Sequence, residues 1–463
     1  MDYSKQEAYL KSSRIRGVIS VFIFLMASAA CLATSRDSAP ANVIVFAFVT
    51  LALAASIYYT PDYLHLTVVP DKAARWQLKV RWRIIAAVLL LGLLLTDTTR
   101  GRLLLVAAVA WLVVTNLIGK KIVPTHLNPG YFFVTDLALL AAMMLPGSLN
   151  LLMGSLLVVA AVHLAVVTSS GAQAFVVRVG LWGIVVIVFT ARIRRFDVQF
   201  GLACAVLVLV GFLLTFWLVL RAERHNRQNI AAAMQELVDF TGYEPARIRN
   251  LWETSNQQLA KNWEQAAIPY DDRERMAEWY RQNSELYLFA ISAYNLEYKR
   301  IKSNLKVIRF AHGSCLDYGA GNGEILLELA RRGHPVTYFD VEGVTMRFAR
   351  HRAERQGLAV AFARSKDELR SAAQTRGFDT IFSFDVLEHL PDLPGELSFL
   401  SSLLAPGGKL VFDVPAGSTK AHPMHLNHNL DVLAYLSAKG LKDRRTFSLR
   451  MPFRKEEKYV FEA

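Results

Sequence analysis

Cysteine is scarce: Cys31, Cys204 and Cys315 are the only three in 463 residues. Cys31 and Cys204 sit within apolar runs, and Cys315 opens a short apolar segment with strand character. No pair has the spacing of a disulfide framework or a zinc module, so both classes are excluded, which suits a cytosolic soluble half. Charge is also thin, at 20 % of residues. The net charge is nevertheless +13. Its basic residues form no concentrated stripe with interleaved stacking aromatics, so nucleic-acid binding is not expected. An excess of this sign suits cytoplasmic loops and an anionic membrane surface.

What the chain has in abundance is Leu, Val, Ala and Ile up to about Leu220. From Arg221 onward the composition is that of an ordinary soluble protein. Apolar runs lie near 17–33, 41–59, 84–96, 102–119, 131–145, 149–168, 174–191 and 198–220. We read residues 1–220 as a transmembrane domain of about eight helices. The first run follows Lys11, Arg14 and Arg16, which keeps the N-terminus cytoplasmic. Small residues near Ala30 also fit a signal peptide, but the further runs favour a first span. Several runs are short: 14 residues make about 21 Å of helix against a hydrocarbon core of about 30 Å. An even count puts Lys72, Arg75, Lys79, Arg81 and Arg83 inside, with Lys120 and Lys121, but Arg192, Arg194 and Arg195 outside. Asp136, His163 and Arg178 read as structural polar groups within these runs. The 84–195 stretch resembles the multi-span input domains of some bacterial sensor histidine kinases, in its short loops, Asp136 and the turn "PGS" at 146–148. No kinase phosphoacceptor or ATP-binding block follows.

Residues 221–310 read as a helical connector. Pro245 and Pro269 divide it, Gly242 ends one helix, and Asp271–Asp272 caps the next. "MAEWYRQNSELYLFAISAYNLEYKRI" carries Trp279, Leu286, Tyr287, Ala290, Tyr294 and Ile301 at helical spacing. Core packing explains that face, and a lid over an apolar pocket is the functional alternative.

From about Ser314 strand and helix alternate, with "GELSFLSSLLAPGG" a helix stopped by its glycines and "LKDRRTFSLR" and "EKYVFEA" the closing strands, which argues for a doubly wound α/β sheet over 311–463. "CLDYGAGNGE" puts Gly319, Gly321 and Gly323 directly after a strand. A dinucleotide fingerprint needs its third glycine where Glu324 stands. With Asp317 at the strand end, two carboxylates flank the turn and would repel a pyrophosphate. They suit a ligand carrying an ammonium and a sulfonium. Asp340 ends the second strand, where a carboxylate can accept both ribose hydroxyls.

With "FDTIFSFDVLEHL" and "LAPGGKLVFDVP" following in order, roughly residues 312–463 resemble the class I S-adenosylmethionine-dependent methyltransferases. The "DVLEHL" block is most similar to the ubiquinone-type and small-molecule branch. The resemblance implies that Asp317, Gly319, Ala320 and Gly321 line the methionine end of S-adenosylmethionine. Gly323 would allow close approach at the helix start. Asp340 would hold the ribose with Val341 against adenine. Asp385 would face the methionine side or the acceptor. The segment "FARSKDEL" lacks the family's usual acidic residue, leaving Ser365 or Asp367 to meet the adenine amine.

Methyl transfer from a sulfonium is an in-line displacement, in which alignment and water exclusion dominate. An oxygen or nitrogen nucleophile can also require a base. "HPMHLNHN" supplies His422, His425 and His428 after the fifth strand. His425 or His428 is the leading base, with His389 of "LEHL" a further candidate and Glu388 close by. A three-histidine metal site is disfavoured because Pro423 breaks the register that would align the rings, and no metal is expected. The bland reading of the loop is packing and capping of the last helix by Asn427 or Asn429. Asp413 would orient substrate.

The expected whole has two parts. A polytopic α-helical domain would sit in the cytoplasmic membrane. A cytoplasmic Rossmann-like methyltransferase domain, its doubly wound sheet closed by a final antiparallel strand, would follow. The expected acceptor is a lipid, a quinone-like or isoprenoid compound, or another hydrophobic molecule. Membrane lipids would be partners, nucleic acid would not, and the oligomeric state stays open. Two alternatives stay open as well: a membrane sensor gating the methyltransferase, and an inactive methyltransferase fold on a transporter or scaffold.

Overall fold

The computed structural model describes residues 198–463 apart from 415–416, 420–421, 444–446 and 452–453, together with 6–9, 12, 15–16, 18–23, 25–26, 106, 110–111 and 114. Seven of the eight expected spans lie wholly or largely outside these residues. The eighth, 198–220, forms the first part of helix α1 (Val198–Thr241). Among the residues whose side chains are described, no helix is long and apolar enough to cross a membrane. Asp136, His163 and Arg178 lie outside the described residues.

The chain forms two compact units, Glu7–Gln228 and Asn229–Ala463 with Met1–Gln6. Within the first, Tyr9 stacks on His225 with centroids 3.8 Å apart, and Arg16 lies over Trp217.

The second unit begins with helices that wrap the α/β domain. Gly242 ends α1 in the left-handed region at φ +69°, donating to Val238 O at 2.8 Å. Helix α2 (Pro245–Ala266) starts with proline at its first position, where a missing N–H costs nothing. Its buried Ile248, Trp252, Leu259 and Trp263 recur at helical spacing and form one face. Asp272 caps α3 (Arg273–Gln282), accepting from Arg275 N at 3.0 Å.

The aromatic stretch is not one helix. It breaks into α3, α4 (Ser284–Asn295) and α5 (Tyr298–Val307). Asn283 makes the first break: its Nδ2 donates to Trp279 O at 2.9 Å, and its Oδ1 accepts from Asn262. A side chain that competes for the backbone of the preceding turn ends the helix there. Trp279, Trp263, Met276, Leu259 and Ala290 then close a small core with Met424.

The sheet runs β1 (Cys315–Tyr318), β2 (Val336–Phe339), β3 (Ala361–Ala363), β4 (Phe378–Ser383), β5 (Leu404–Asp413), β6 (Lys442–Asp443), β7 (Phe447–Met451) and β8 (Arg454–Glu462). Helices α6 (Glu324–Arg331), α7 (Val344–Arg355), α8 (Lys366–Ala373), α9 (Leu393–Ser402) and α10 (Val432–Ala438) fall between them. Strand order is β3-β2-β1-β4-β5-β8-β6, with β7 on β8. The first five strands are parallel, and β8 pairs antiparallel with β5. That is the Rossmann-like mixed sheet with a final antiparallel strand. Leu316, Ile381, Leu410, Phe412 and Phe461 are fully buried within it, as expected when both faces of a sheet are covered. The order reverses between β1 and β4. The crevice at their C-terminal ends is where open α/β sheets take ligands.

Three local expectations are corrected. Pro406, Gly407 and Gly408 do not stop a helix: α9 ends at Ser402 and they belong to β5, where pairing with β4 slips between Phe378 and Thr380. The segment "LKDRRTFSLR" is two strands, β6 and β7. Helix α10 is capped by Asp431, which accepts from Ala434 N at 3.0 Å, not by Asn427 or Asn429. The Asn427 carboxamide accepts from Ser418 N instead.

Candidate cofactor and acceptor site

At the end of β1 the chain must turn at once into α6. Gly319, Gly321 and Gly323 make that turn at φ +77°, +53° and +73°, a region that side chains other than glycine enter only with strain. At Gly319 there is also no room: a Cβ would sit 2.1 Å from Val386 Cγ2. Asp340 follows β2 and staples the turn. Its Oδ2 accepts from Gly321 N at 2.5 Å and its Oδ1 from Val341 N at 2.6 Å. Tyr338 donates its hydroxyl to Gly321 O at 2.7 Å. Ala320 N and Gly319 N both donate to Phe339 O. Asp317, Gly319, Ala320, Gly321, Gly323, Asp340 and Val341 thus share one corner.

That corner is acidic and dry. Burial, and then the Asp340 charge, push the Asp317 carboxyl up to about 7. Burial likewise raises Asp340 to about 6, against the two backbone donors that favour its charged form. Two carboxylates costly to ionise are a poor phosphate site and a good cation site. The turn is supported from behind. Buried Asn322 takes a hydrogen bond from Asn295 at 3.0 Å. Arg352, 3 % exposed, bonds Asn322 O and the Glu324 carboxylate and reaches Glu236 at 3.1 Å.

Across the crevice, β4 ends in a second constrained corner. Asp385 has φ +56°. Its N–H donates to Asp413 Oδ1 at 2.8 Å, and Arg300 pairs with its Oδ2 at 2.7 Å. The next turn, Leu387–His389, carries Glu388 and His389 inward. The loop after β5 is clasped onto it by Leu426 N donating to Glu388 O at 2.7 Å. His389 Nδ1 meets the Tyr280 hydroxyl at 2.8 Å. The His425 ring stands edge-on to His389, centroids 4.6 Å apart, and His422 stacks on His425 at 5.0 Å. Burial, then the neighbouring imidazole, hold His389 down to about 3 and His425 to about 4. Burial pushes Glu388 up to about 9, with Asp413 and Asp385 adding to it.

Among the candidate bases, His389 and His425 are brought together and His428 is not. The latter lies by Leu387, which accepts its ring N–H, and its Nε2 is buried without a partner. Ser365 and Asp367 are engaged elsewhere. Ser365 caps α8 through Glu368 N, and the Asp367 carboxylate, 88 % exposed, pairs with Arg370. Sequence reasoning missed Arg300, Tyr280 and Asn322. Tyr280 and Arg300 sit on helices whose pattern signals only packing, while Asn322 lies within the glycine turn itself, where its neighbours drew the attention. Cys315, its thiol pushed up to about 12 chiefly by burial, is inert.

Residues 292–444 match the family model described as "Methyltransferase domain". The Ubiquinone biosynthesis O-methyltransferase of Nitrosococcus oceani is 31 % identical over 145 residues, 31 % of this chain and 59 % of the relative. That of Xanthomonas euvesicatoria pv. vesicatoria is 32 % identical over 132 residues, 28 % and 53 % of the two chains. This chain therefore spans only a little over half the length of the curated relatives it matches. The solved N-methyltransferase NodS of Bradyrhizobium japonicum WM9, in complex with S-adenosyl-L-homocysteine, aligns with 39 % of this chain and 97 % of its own, at 20 % identity and TM-score 0.33. The C-terminal region is a class I methyltransferase domain, the class that takes its methyl group from S-adenosylmethionine.

Proposed function

We propose that the chain is a membrane-integrated, S-adenosylmethionine-dependent methyltransferase that methylates a hydroxyl of a hydrophobic acceptor at the cytoplasmic membrane face. The observation that carries the cofactor is the glycine turn between Asp317 and Asp340, with its two buried carboxylates and its steric demand at Gly319. S-adenosylmethionine supplies an electrophilic methyl group on a sulfonium. Asp340, already fixed by two backbone donors, keeps lone pairs for the ribose hydroxyls. Asp317 offsets the ligand's positive charge. Asp385, held by Arg300 and Asp413, borders the acceptor side. The His389–His425 pair meets the acceptor oxygen, and Tyr280 fixes the His389 ring.

Two things support a membrane-borne acceptor: the apolar first half of the sequence, and relatives whose names place them in ubiquinone biosynthesis. Confinement at the bilayer raises the effective concentration of such an acceptor. The test uses full-length protein, donor labelled on its methyl group, and a total extract of the native membranes. After incubation the lipid, protein and aqueous fractions are counted. Label in the lipid fraction is expected. Label confined to aqueous or protein material would overturn the hydrophobic acceptor. No label in any fraction, with donor bound, would overturn the activity.

A further inference from the structure

We propose that Arg16, Arg221, Arg224 and Arg227 form a cationic collar that binds the phosphates of anionic phospholipids at the membrane surface. The collar lies within the unit Glu7–Gln228, outside the residues 292–444 that match the methyltransferase model. It rests on the membrane part of the reading above and goes beyond it, because it defines the lipid by its charge. The donor site and the methylation step do not enter it.

Two helical segments of this unit run antiparallel. Tyr9 stacks on His225, and Arg16, further along the first segment, lies over Trp217, further back along α1. The Arg221 guanidinium stands 5.9 Å from the centre of the Tyr9 ring. Each segment turns one apolar stripe outward. Ile15, Val18, Ile19, Phe22, Ile23 and Met26 are exposed, Phe22 by 62 %, and their spacing puts them on one helical face. Leu213, Trp217 and Leu220 do the same on α1. Ser20, on the other side of the first segment, is 3 % exposed. Helices packed on one side and apolar on the outer side mark a surface that something other than water covers.

Both stripes end at one level. The face of α1 that carries Leu213, Trp217 and Leu220 continues as Arg224 and Arg227, both exposed. The step from Leu220 to Arg224 is about 6 Å along the helix axis. On the antiparallel segment the exposed stripe reaches no further than Ile15 among the described residues, next to Arg16. Because Arg16 is level with Trp217, the two stripes stop within about one helical turn of each other. Trp217, Tyr9 and the four guanidiniums stand at or just beyond that boundary. A bilayer surface has the same order of layers: acyl chains, then interfacial aromatic rings, then phosphates with cations among them. In the sequence, Lys5, Lys11 and Arg14 add to the cations. Only Asp2, Glu7 and Glu223 oppose them over 1–16 and 221–227.

Arg16 is the independent observation. Its guanidinium carbon rests 5.4 Å from the centre of the Trp217 ring, and its Nη1 is buried without a hydrogen-bond partner. A buried donor left unsatisfied costs free energy. A phosphate oxygen satisfies it, because the guanidinium fork matches phosphate geometry. A zwitterionic headgroup brings an ammonium beside its phosphate, which the collar repels, whereas an anionic headgroup brings none. A second copy of this chain seated face to face would set these guanidiniums against their own likeness, which like-charge repulsion disfavours.

The test reconstitutes full-length protein in vesicles of phosphatidylcholine, with or without phosphatidylglycerol as the minor lipid, and floats them on a density gradient. Spin-labelled phosphatidylglycerol and spin-labelled phosphatidylcholine are then compared for the share that the protein immobilises. A preference for phosphatidylglycerol of at least about threefold is expected at low salt, shrinking at high salt as the charges are screened. Arg224→Gln with Arg227→Gln should cut that preference by at least about twofold, and adding Arg16→Gln should abolish it. Unchanged helicity in circular dichroism confirms that each variant is folded. The double variant leaves Arg16 on Trp217, so it serves if the triple variant misfolds. Equal immobilisation of the two lipids by vesicle-bound protein, or a preference that the folded variants keep, overturns the collar and leaves the membrane reading standing. Protein that floats with neither vesicle overturns both. Self-association in detergent that Arg224→Gln with Arg227→Gln removes would give this face to a second copy and overturn the lipid assignment.

Discussion

Asp317 and Asp340 decide at the residue scale what the glycine turn can bind. Both are buried, which makes each costly to ionise, and the Asp340 charge adds to the cost at Asp317. A cationic ligand reverses that. Binding therefore favours the deprotonated pair and releases protons wherever the free protein still holds them. With folded values raised to about 7 and about 6, the deprotonated form is complete above pH 8 and lost as pH falls through both. Donor affinity should accordingly fall from pH 8 to pH 5.5, with proton release largest near pH 6–7. Calorimetry in buffers of different ionisation enthalpy reads both quantities. Asp317→Asn should bind at least about tenfold more weakly at pH 8 and lose most of the pH dependence. Full pH dependence in that variant would show that Asp317 does not face the ligand's charge. Which residues stand at this corner was legible in the sequence, because glycine spacing and strand-end carboxylates are local patterns. Their coupling was not, since β1 and β2 meet only when the sheet forms.

At the scale of elements, Arg352 of α7 ties three parts together: the cofactor turn at Asn322 O, the start of α6 at Glu324, and Glu236 on α1. Its guanidinium is nearly fully buried, so removing it takes from the buried Glu324 carboxylate one of the cations that holds it. Breaking a buried pair in this way costs about 3–5 kcal/mol. Arg352→Met should therefore lower unfolding stability by about 3 kcal/mol in a urea titration, and weaken the donor as the turn loosens. A loss below about 0.5 kcal/mol, the size of a surface change, would mean that the network does not support the turn. Nothing in "MRFARHRAER" distinguishes Arg352 from its neighbours; helical phase against the turn does. The same holds for the break at Asn283. Its apolar spacing runs straight through, and only Asn262 on α2 makes the kinked arrangement favourable.

On the scale of the molecule, residues 229–463 form one compact unit that contains every residue of the candidate site. The sheet, its helices and the wrapping α2–α5 bury a shared core, so this unit should fold and bind by itself. A fragment of residues 229–463 should bind the donor within about threefold of the full chain. It should also show a single cooperative unfolding transition, as a calorimetric scan would record. A fragment that folds yet fails to bind would place part of the donor site in the first unit.

The sequence by itself determined the strand–helix alternation, the glycine turn, its acidic flanks and the abrupt change of composition near Leu220. Each depends on neighbours a few residues apart, where backbone sterics and hydrophobic periodicity act. The tertiary structure alone decided that Glu388 and His389 meet His425, that His428 stands aside, and that Arg300 takes Asp385. Those meetings join the ends of β4 and β5 to helices more than 80 residues upstream. No local pattern encodes such an approach; it follows from the order in which the strands pack.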